Sequence, residues 1–495
     1  MDLQELWRRL DGAQFRNAGQ QMPRSITGIT YNSKTTKKGE LFFCLRGTKS
    51  DGHAFAAEAV QGGASALVVE EFLPLDVPQI KVPDSRAALA EAARWYFGDP
   101  AKRLGLVGVT GTNGKTTTAF LIRSIFEQAG RKTGMIGTVY NLLGGEPQPS
   151  AMTTPESLDL TAMLAEAVQN GCRWVVMEVS SHALAMGRVD PAEIHIAVVT
   201  NITRDHFEFH GTFEHYWASK ARLVRELGAA PDPHQPSAAV LNADDEAVMA
   251  MAKGAETPVL TFGLTHPADV TASQVETGVT GCRFLLHTPG ATPTPVRLRL
   301  PGTFNVNNAL AAAAAARAAG IDLGRIVSGL EACRHVPGRA EVIEEGQDFH
   351  VIVDFAHNPD ALRKIVSLRP DKPGARTIIV FGAEGGKDQG KRPQMGEAAR
   401  GADYAIVTSD NVPKEEPEAV ASQVAAGLGG HPHEIILDRR TAIARALEMA
   451  RPGDLVIIAG KGHEQTWVVG NQRIAFDDRA VVRELLKAIR NQTEV

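Results

Sequence analysis

Residues 108–118 read GVTGTNGKTTT, and this stretch decides how the rest of the 495-residue chain is understood. The preceding RLGLV is a short apolar run of strand type. The following KTTTAFLIRSIFEQAG places apolar residues three and four apart and ends on Gly130, as an amphipathic helix does. A glycine-rich turn between strand and helix brings backbone N–H groups close to a phosphate. Gly111, Thr112, Asn113, Gly114, Lys115, Thr116 and Thr117 are therefore the candidate nucleotide loop. Lys115 is suited to the outer phosphates and the Thr116 hydroxyl to Mg2+. The spacing departs from G-x-x-x-x-G-K-T, because Val109 stands where that form has its first glycine.

Outward from the loop, three regions separate. Residues 1–100 mix short strand-like runs (LFFCLRG, ASALVVEE, PQIKVPD) with the turn-rich KGELFFCLRGTKSDGHAF, a composition that suits a binding surface. Residues 101–335 carry the loop, two further buried-strand candidates (RWVVMEVSS and IHIAVVTNIT) and a strong helix former, NVNNALAAAAAARAAG. Residues 336–495 alternate strand candidates (FHVIVDFAH, ARTIIVFGA, ADYAIVTSD, EIILD, GDLVIIAGKG) with helix-like segments, the pattern of a doubly wound sheet. The expected fold class is α/β in three domains.

Composition narrows the function. A formal charge of -5 gives no basic field for nucleic acid. No apolar run reaches the ~20 residues needed to cross a bilayer, and MDLQELWRRL does not have the form of a secretion signal. Cys44, Cys172, Cys282 and Cys333 form no CxxC pair, which fits a reducing cytoplasm.

Several polar residues follow strand candidates. Glu178 can hold Mg2+ or cap a helix. In TNITRDHFEFHG, His206 can ligate a metal ion, contact phosphate or be structural. Asn305 and Asn308 read as helix caps or base contacts, Arg339 as a phosphate ligand, and Asp354 as a ribose acceptor or an ordinary cap.

Taken together, TGTNGKTTT, MEVSSHAL, TNITRDHFEFHGTFEHYWASKARL, PGTFNVNNA, PGRAE, DFAHNPDAL and GKGHE resemble, in order, the ATP-dependent Mur ligases of peptidoglycan synthesis. Within that family the chain is most similar to the branch that adds the third stem-peptide amino acid to UDP-N-acetylmuramoyl-L-alanyl-D-glutamate. The resemblance implies a small N-terminal UDP-binding domain (1–100), a central P-loop ATPase-type domain (101–335) and a C-terminal Rossmann-like domain that takes the amino acid (336–495). It implies ATP and Mg2+ as cofactors, small-molecule substrates and a cytoplasmic monomer. Thr116, Glu178, His206 and Lys220 would hold the metal, Lys220 as a carbamate. Without the resemblance, Lys220 reads as a solvated helix lysine. Asn305, Arg339 and Asp354 would contact the nucleotide. Ser33, Thr153, Thr154, Ser180 and Arg188 would hold the UDP-sugar-peptide, and Lys387, Asp410, Asn411, Gly460 and Glu464 the incoming amino acid.

One segment departs from the family. Members that use meso-diaminopimelate usually read Asp-Asn-Pro-Arg, whereas this chain reads Asp410-Asn411-Val412-Pro413, with Lys414 next and Lys387 in place of a second arginine. Lysine does not reproduce the two-point arginine clamp on a carboxylate. Two readings stay open: meso-diaminopimelate met by Lys414 or Lys387, or L-lysine or another diamino acid with its distal ammonium on Glu464 and Asp410. Glu415 and Glu416 read as a solvated turn. Rivals outside this chemistry are a folylpolyglutamate synthase and a non-catalytic nucleotide-binding module.

Overall fold

The computed structural model describes residues 2–16, 25–47, 50–227 and 236–493. Thr48 and Lys49 of the turn-rich N-terminal segment lie outside the described residues. The chain forms two compact units, Met1–Gly108 with Lys132–His195, and Val109–Arg131 with Ile196–Val495.

In the first unit a five-stranded sheet has the order Gln14–Arg16, Gln79–Lys81, Ala66–Val69, Leu41–Phe43, Ile29–Thr30. Its first pairing is antiparallel and the others are parallel. Apolar strands such as LFF form here because both faces are covered. Leu41, Phe43, Val68 and Ile80 pack with Leu3, Leu6 and Leu89, while Phe42, Leu67 and Val69 turn the other way, toward Ala56 and Ala59. Asp84 starts the helix Ser85–Phe97 by accepting from the Arg86 and Ala87 amides. The same unit pairs Thr133–Ile136 with Trp174–Glu178 in parallel.

The second unit contains the parallel strands Ile196–Val199, Ala238–Asn242 and Val259–Phe262. It also carries a three-stranded antiparallel sheet (Thr271–Gly278, Gly281–His287, Thr294–Leu298) that sequence reasoning did not anticipate. The first of those strands is mostly half-exposed or exposed, so it carries little apolar signal. The helix Thr303–Ala318 is buried almost throughout, which its alanines allow, and begins at Gly302. Asn305 and Asn308 therefore lie inside the helix and not at its cap.

Beyond residue 336 a six-stranded sheet runs Glu341–Ile343, His350–Asp354, Leu455–Ala459, Thr377–Phe381, Tyr404–Val407, His433–Ile435, parallel except for the first pair. Side-chain alternation sends Ile352, Ile379 and Ile457 to one face, where helices Pro359–Val366, Lys391–Ala399 and Pro417–Ala426 pack. Val351, Ile378, Val456 and Ile458 go to the other, under Arg439–Met449 and Asp478–Thr493. The last strand is shorter and earlier than EIILD suggests. It ends at Ile435 because Asp438 already caps the next helix, accepting from the Thr441 amide.

Candidate active site

Gly111 and Gly114 adopt φ of +142° and +88°. A Cβ at Gly111 would strike the Thr200 hydroxyl, and one at Gly114 the Asn308 side chain, so only glycine fits either place. Gly114 precedes the helix Lys115–Gln128 with no side-chain cap, which leaves its first amides and positive dipole end to an anion. The loop is held from several sides. The Thr112 amide donates to Asn201 O (2.8 Å), the Asn113 amide to Asn201 Oδ1 (3.0 Å) and the Asn113 side chain to Asp360 (2.8 Å). Lys115 Nζ folds over the loop and donates to the Gly111 and Thr112 carbonyls at 2.9 Å.

Beside this loop lies a cavity of about 170 Å³ lined by Asn113, Gly114, Thr117, Asn305, Arg339 and Asp354, with Phe262, Phe304 and Ile365 as apolar wall. One end thus carries phosphate-binding groups and another a flat apolar surface suited to a base. Asn305 is buried, donates to Pro301 O (2.8 Å) and accepts from Asn308 (3.0 Å). The Arg339 guanidinium lies 4.3 Å from the Phe355 ring centroid and donates to Thr116 Oγ1 (3.2 Å). Asp354 accepts from the Ala340 (2.6 Å) and Ala356 (2.7 Å) amides, so it also fixes the strand-end loop. Burial raises its carboxyl pKa against the opposing pull of Arg339 and those amides.

Lys220 overturns the solvated-lysine reading: it is 1% exposed. Its helix, Phe213–Arg225, buries Tyr216, Lys220, Leu223 and Val224 as one stripe, and a lysine inside an apolar stripe was the available signal. Nζ donates to Gly111 O (2.8 Å) and Thr110 Oγ1 (3.3 Å). Burial first, and the Lys115 cation second, push its pKa well below the usual lysine value. His206, partly exposed and in a left-handed conformation, follows Asp205. Burial alone would raise the Asp205 carboxyl, but His206, His357, Lys391 and Lys115 outweigh it and hold the carboxyl low. Thr116, Lys220 and His206 belong to the second unit and Glu178 to the first. Among the described residues no group of three or more His, Cys, Asp or Glu side chains gathers as a ready metal site.

In the first unit, Glu178 accepts from the Thr138 amide (2.8 Å) and hydroxyl (3.1 Å), and that hydroxyl also meets Thr153 (3.1 Å). Thr154 donates to Glu178 O and accepts from the Ser180 amide, and the Ser180 hydroxyl caps the next helix. Arg188 lies 3.4 Å from Glu156, a buried carboxylate that also pairs with Arg86 and was not singled out from sequence. Thr153, Thr154 and Ser180 thus come together around Glu178, whereas Ser33 binds Glu58 (2.6 Å) on its own short turn.

At the carboxyl edge of the six-stranded sheet, Asp410, Asn411, Gly460 and Glu464 assemble. A Gly460 Cβ would stand 2.6 Å from Asp410 Oδ2. Asn411 Nδ2 donates to Glu464 Oε2 (2.8 Å). Lys461, fully buried and not anticipated, donates to Glu464 Oε2 (2.7 Å), Asn411 Oδ1 (3.1 Å) and Thr466 O (2.7 Å). Glu464 therefore already holds an internal cation. Lys387 is exposed. Glu415 corrects the solvated-turn reading: Arg392, with its side chain 0% exposed, grips it through two bonds (2.8 and 2.7 Å). That pair holds the Glu415 carboxyl down at about 2.

Family profiles match in order along the chain: the Mur ligase family catalytic domain at residues 25–97, the Mur ligase middle domain at 109–316, and the Mur ligase glutamate ligase domain at 338–462. The chain is 44% identical over 465 residues to the UDP-N-acetylmuramoyl-L-alanyl-D-glutamate--2,6-diaminopimelate ligase of Geobacillus kaustophilus, covering 93% of this chain and 95% of that one. A solved structure of a ligase of that same name is 33% identical, with a TM-score of 0.67 over 99% of both chains. MurF ligase from Thermotoga maritima, solved in complex with ADP, shares the fold at 21% identity, with a TM-score of 0.64 over 94% of this chain and 97% of that one. With such relatives along nearly its whole length, the chain belongs to the Mur ligase family.

Proposed function

We propose that this chain is an ATP-dependent ligase that joins a diamino acid to UDP-N-acetylmuramoyl-L-alanyl-D-glutamate, the third-residue step of the peptidoglycan stem. The observation that carries this reading is the pairing of an uncapped helix N-terminus at Gly114 with a buried lysine, Lys220, whose Nζ lies 2.8 Å from Gly111 O. Three regions divide the work: residues 1–100 hold the UDP end, 101–335 ATP, and 336–495 the amino acid. The enzyme acts as a cytoplasmic monomer.

A carboxylate resists attack by an amine, so the chemistry must activate it. Transfer of the ATP γ-phosphoryl group to the D-glutamate carboxylate gives an acyl phosphate. The incoming amine attacks its carbonyl carbon, a tetrahedral intermediate forms, and phosphate departs, leaving an amide, ADP and phosphate. No protein nucleophile takes part, and the protein contributes positioning and charge. Lys115 offsets repulsion between the carboxylate and the polyphosphate, and the amides beside Gly114 hold the phosphates. Asn305, Arg339 and Asp354 position the nucleotide. Ser33, Thr153, Thr154, Ser180 and Arg188 hold the UDP-sugar-peptide.

Thr116, Glu178, His206 and Lys220 are the residues that would hold Mg2+, which supplies charge neutralisation at the transferring phosphoryl group. The fit rests on Lys220. Burial pushes the Lys220 pKa down and so favours the free amine, the form that can add CO2, release a proton and become a carbamate, a hard oxygen ligand. The relatives' name, a 2,6-diaminopimelate ligase, favours the diaminopimelate reading for the amino acid, as the meso isomer. L-Lysine is the second reading, favoured by Pro413 in place of an arginine. The test is ADP release from ATP with the UDP-linked dipeptide and, in turn, meso-diaminopimelate, L-lysine and L-ornithine. Release that requires both acid and amine supports the reading. Release indifferent to either overturns it, as does a Lys115→Ala variant with intact amide synthesis.

A further inference from the structure

In the six-stranded sheet the chain leaves Leu455–Ala459 toward one face and the adjacent Thr377–Phe381 toward the other. Such a reversal opens a crevice outside the carboxyl ends of the strands. Three carboxylates follow neighbouring strands there: Glu384 after Phe381, Asp410 after Val407 and Glu464 after Ala459. Their partners differ. Glu464 is bonded to Lys461 at 2.7 Å. Asp410 is 3% exposed; its Oδ1 accepts from the Asn411 amide, while Oδ2, facing Gly460, makes no hydrogen bond among the described residues. Glu384 is half-buried and its carboxylate has no hydrogen bond or ion pair among the described residues.

The backbone around Glu384 is fixed. The Gly385 amide donates to Asn411 O (2.8 Å) and the Gly386 amide to Glu415 Oε1 (2.6 Å), and Glu415 is itself held by buried Arg392. Burial raises the Glu384 carboxyl, with Asp410 and Glu464 adding to the rise and Lys387 and Lys391 opposing it. A carboxylate pinned in partial burial beside a second one is costly unless a cation joins them. Lys461 is committed to Glu464 and Arg439 to Asp478, while Lys391 donates to the His357 carbonyl.

We propose that Glu384, with Asp410, seats the side-chain ammonium of the incoming amino acid and so makes this site demand a diamino acid. The role rests on the proposed ligation and adds Glu384 to the pair expected from the sequence, of which Glu464 meets Lys461 through Oε2. The seat is open to any ligand with a distal ammonium, with or without a second carboxylate beside it.

Initial rates of the full chain with ATP, the UDP-linked dipeptide and meso-diaminopimelate, L-lysine or L-norleucine test this. Glu384→Gln removes the charge at constant shape and breaks no hydrogen bond. KM for the diamino acid should rise about 10- to 100-fold, the range for a charged hydrogen bond, with KM for ATP unchanged. Preference over L-norleucine should fall by the same factor, and Glu384→Asp should keep part of it. Wild-type selectivity in Glu384→Gln, or an equal rise in KM for ATP, overturns the role of Glu384. Failure of the wild-type chain to ligate any of the three overturns the proposed function itself.

Discussion

Removing the Asp478 carboxylate should loosen the carboxyl edge of the six-stranded sheet by a calculable amount. Arg439 and Asp478 are both 0% exposed, joined at 2.8 and 2.7 Å. Arg439 also donates to Ala459 O (2.9 Å), the residue before Gly460, while its Nη1 is buried without a hydrogen bond among the described residues. Burial alone would lower the guanidinium pKa, but Asp478 reverses this and keeps the group charged. Asp478→Ala leaves that charge in the interior uncompensated, which costs about 3–5 kcal/mol. At roughly 2–4 °C per kcal/mol, melting of this region should fall by about 6–20 °C. Hydrogen exchange read on peptides covering 455–464 should speed up selectively, because the Ala459 anchor goes with the pair. The double change Arg439→Met with Asp478→Leu removes the stranded charge and should recover most of the loss. A loss under about 1 kcal/mol for Asp478→Ala, or a double variant as unstable as the single one, refutes the reasoning.

Three further outcomes follow from the site. Gly114→Ala forces a Cβ onto Asn308 at a φ of +88°, so ADP binding by calorimetry should weaken about tenfold or more, with little change in melting elsewhere. Lys220→Met keeps the buried volume but removes the amine, so ligation should fall at least about 100-fold while ADP binding is retained. His210 is pushed down to about 4, chiefly by burial. The unfolded state, at about 6.5, binds that proton first, so stability is full above pH 6.5 and is lost as pH falls toward 4. The loss is on the order of 3 kcal/mol, and denaturant melts of His210→Gln should show a flatter pH slope across that window.

The parts legible in sequence were those whose signal is local. The runs around Val351–Val353, Ile378–Val380 and Val456–Ile458 are continuously apolar because helices cover both faces of their sheet, and the glycine loop announces itself by its place between strand and helix. The hydrophobic pattern alone hid the charged residues of the interior, and Lys220 was reached only through the family resemblance. Lys220 and Arg439 each occupy a position on an apolar helical stripe, the latter with Ala442, Ile443, Ala446 and Leu447, but a single charged letter reads as surface unless the stripe is traced through it. Lys461 carried no such signal. It lies between glycines after a strand, and only folding brings it to Glu464 and Asn411. The polar strand Thr271–Gly278 escaped because its pairing, and not its hydrophobicity, defines it.

The central claim is that ATP activates the acid as an acyl phosphate before the amine attacks. It is tested most directly by supplying the UDP-linked dipeptide with its reacting D-glutamate carboxylate labelled with heavy oxygen and analysing the released phosphate by mass spectrometry. The account predicts one labelled oxygen in each phosphate formed during ligation. Phosphate free of label, with amide formed at the normal rate, would contradict it.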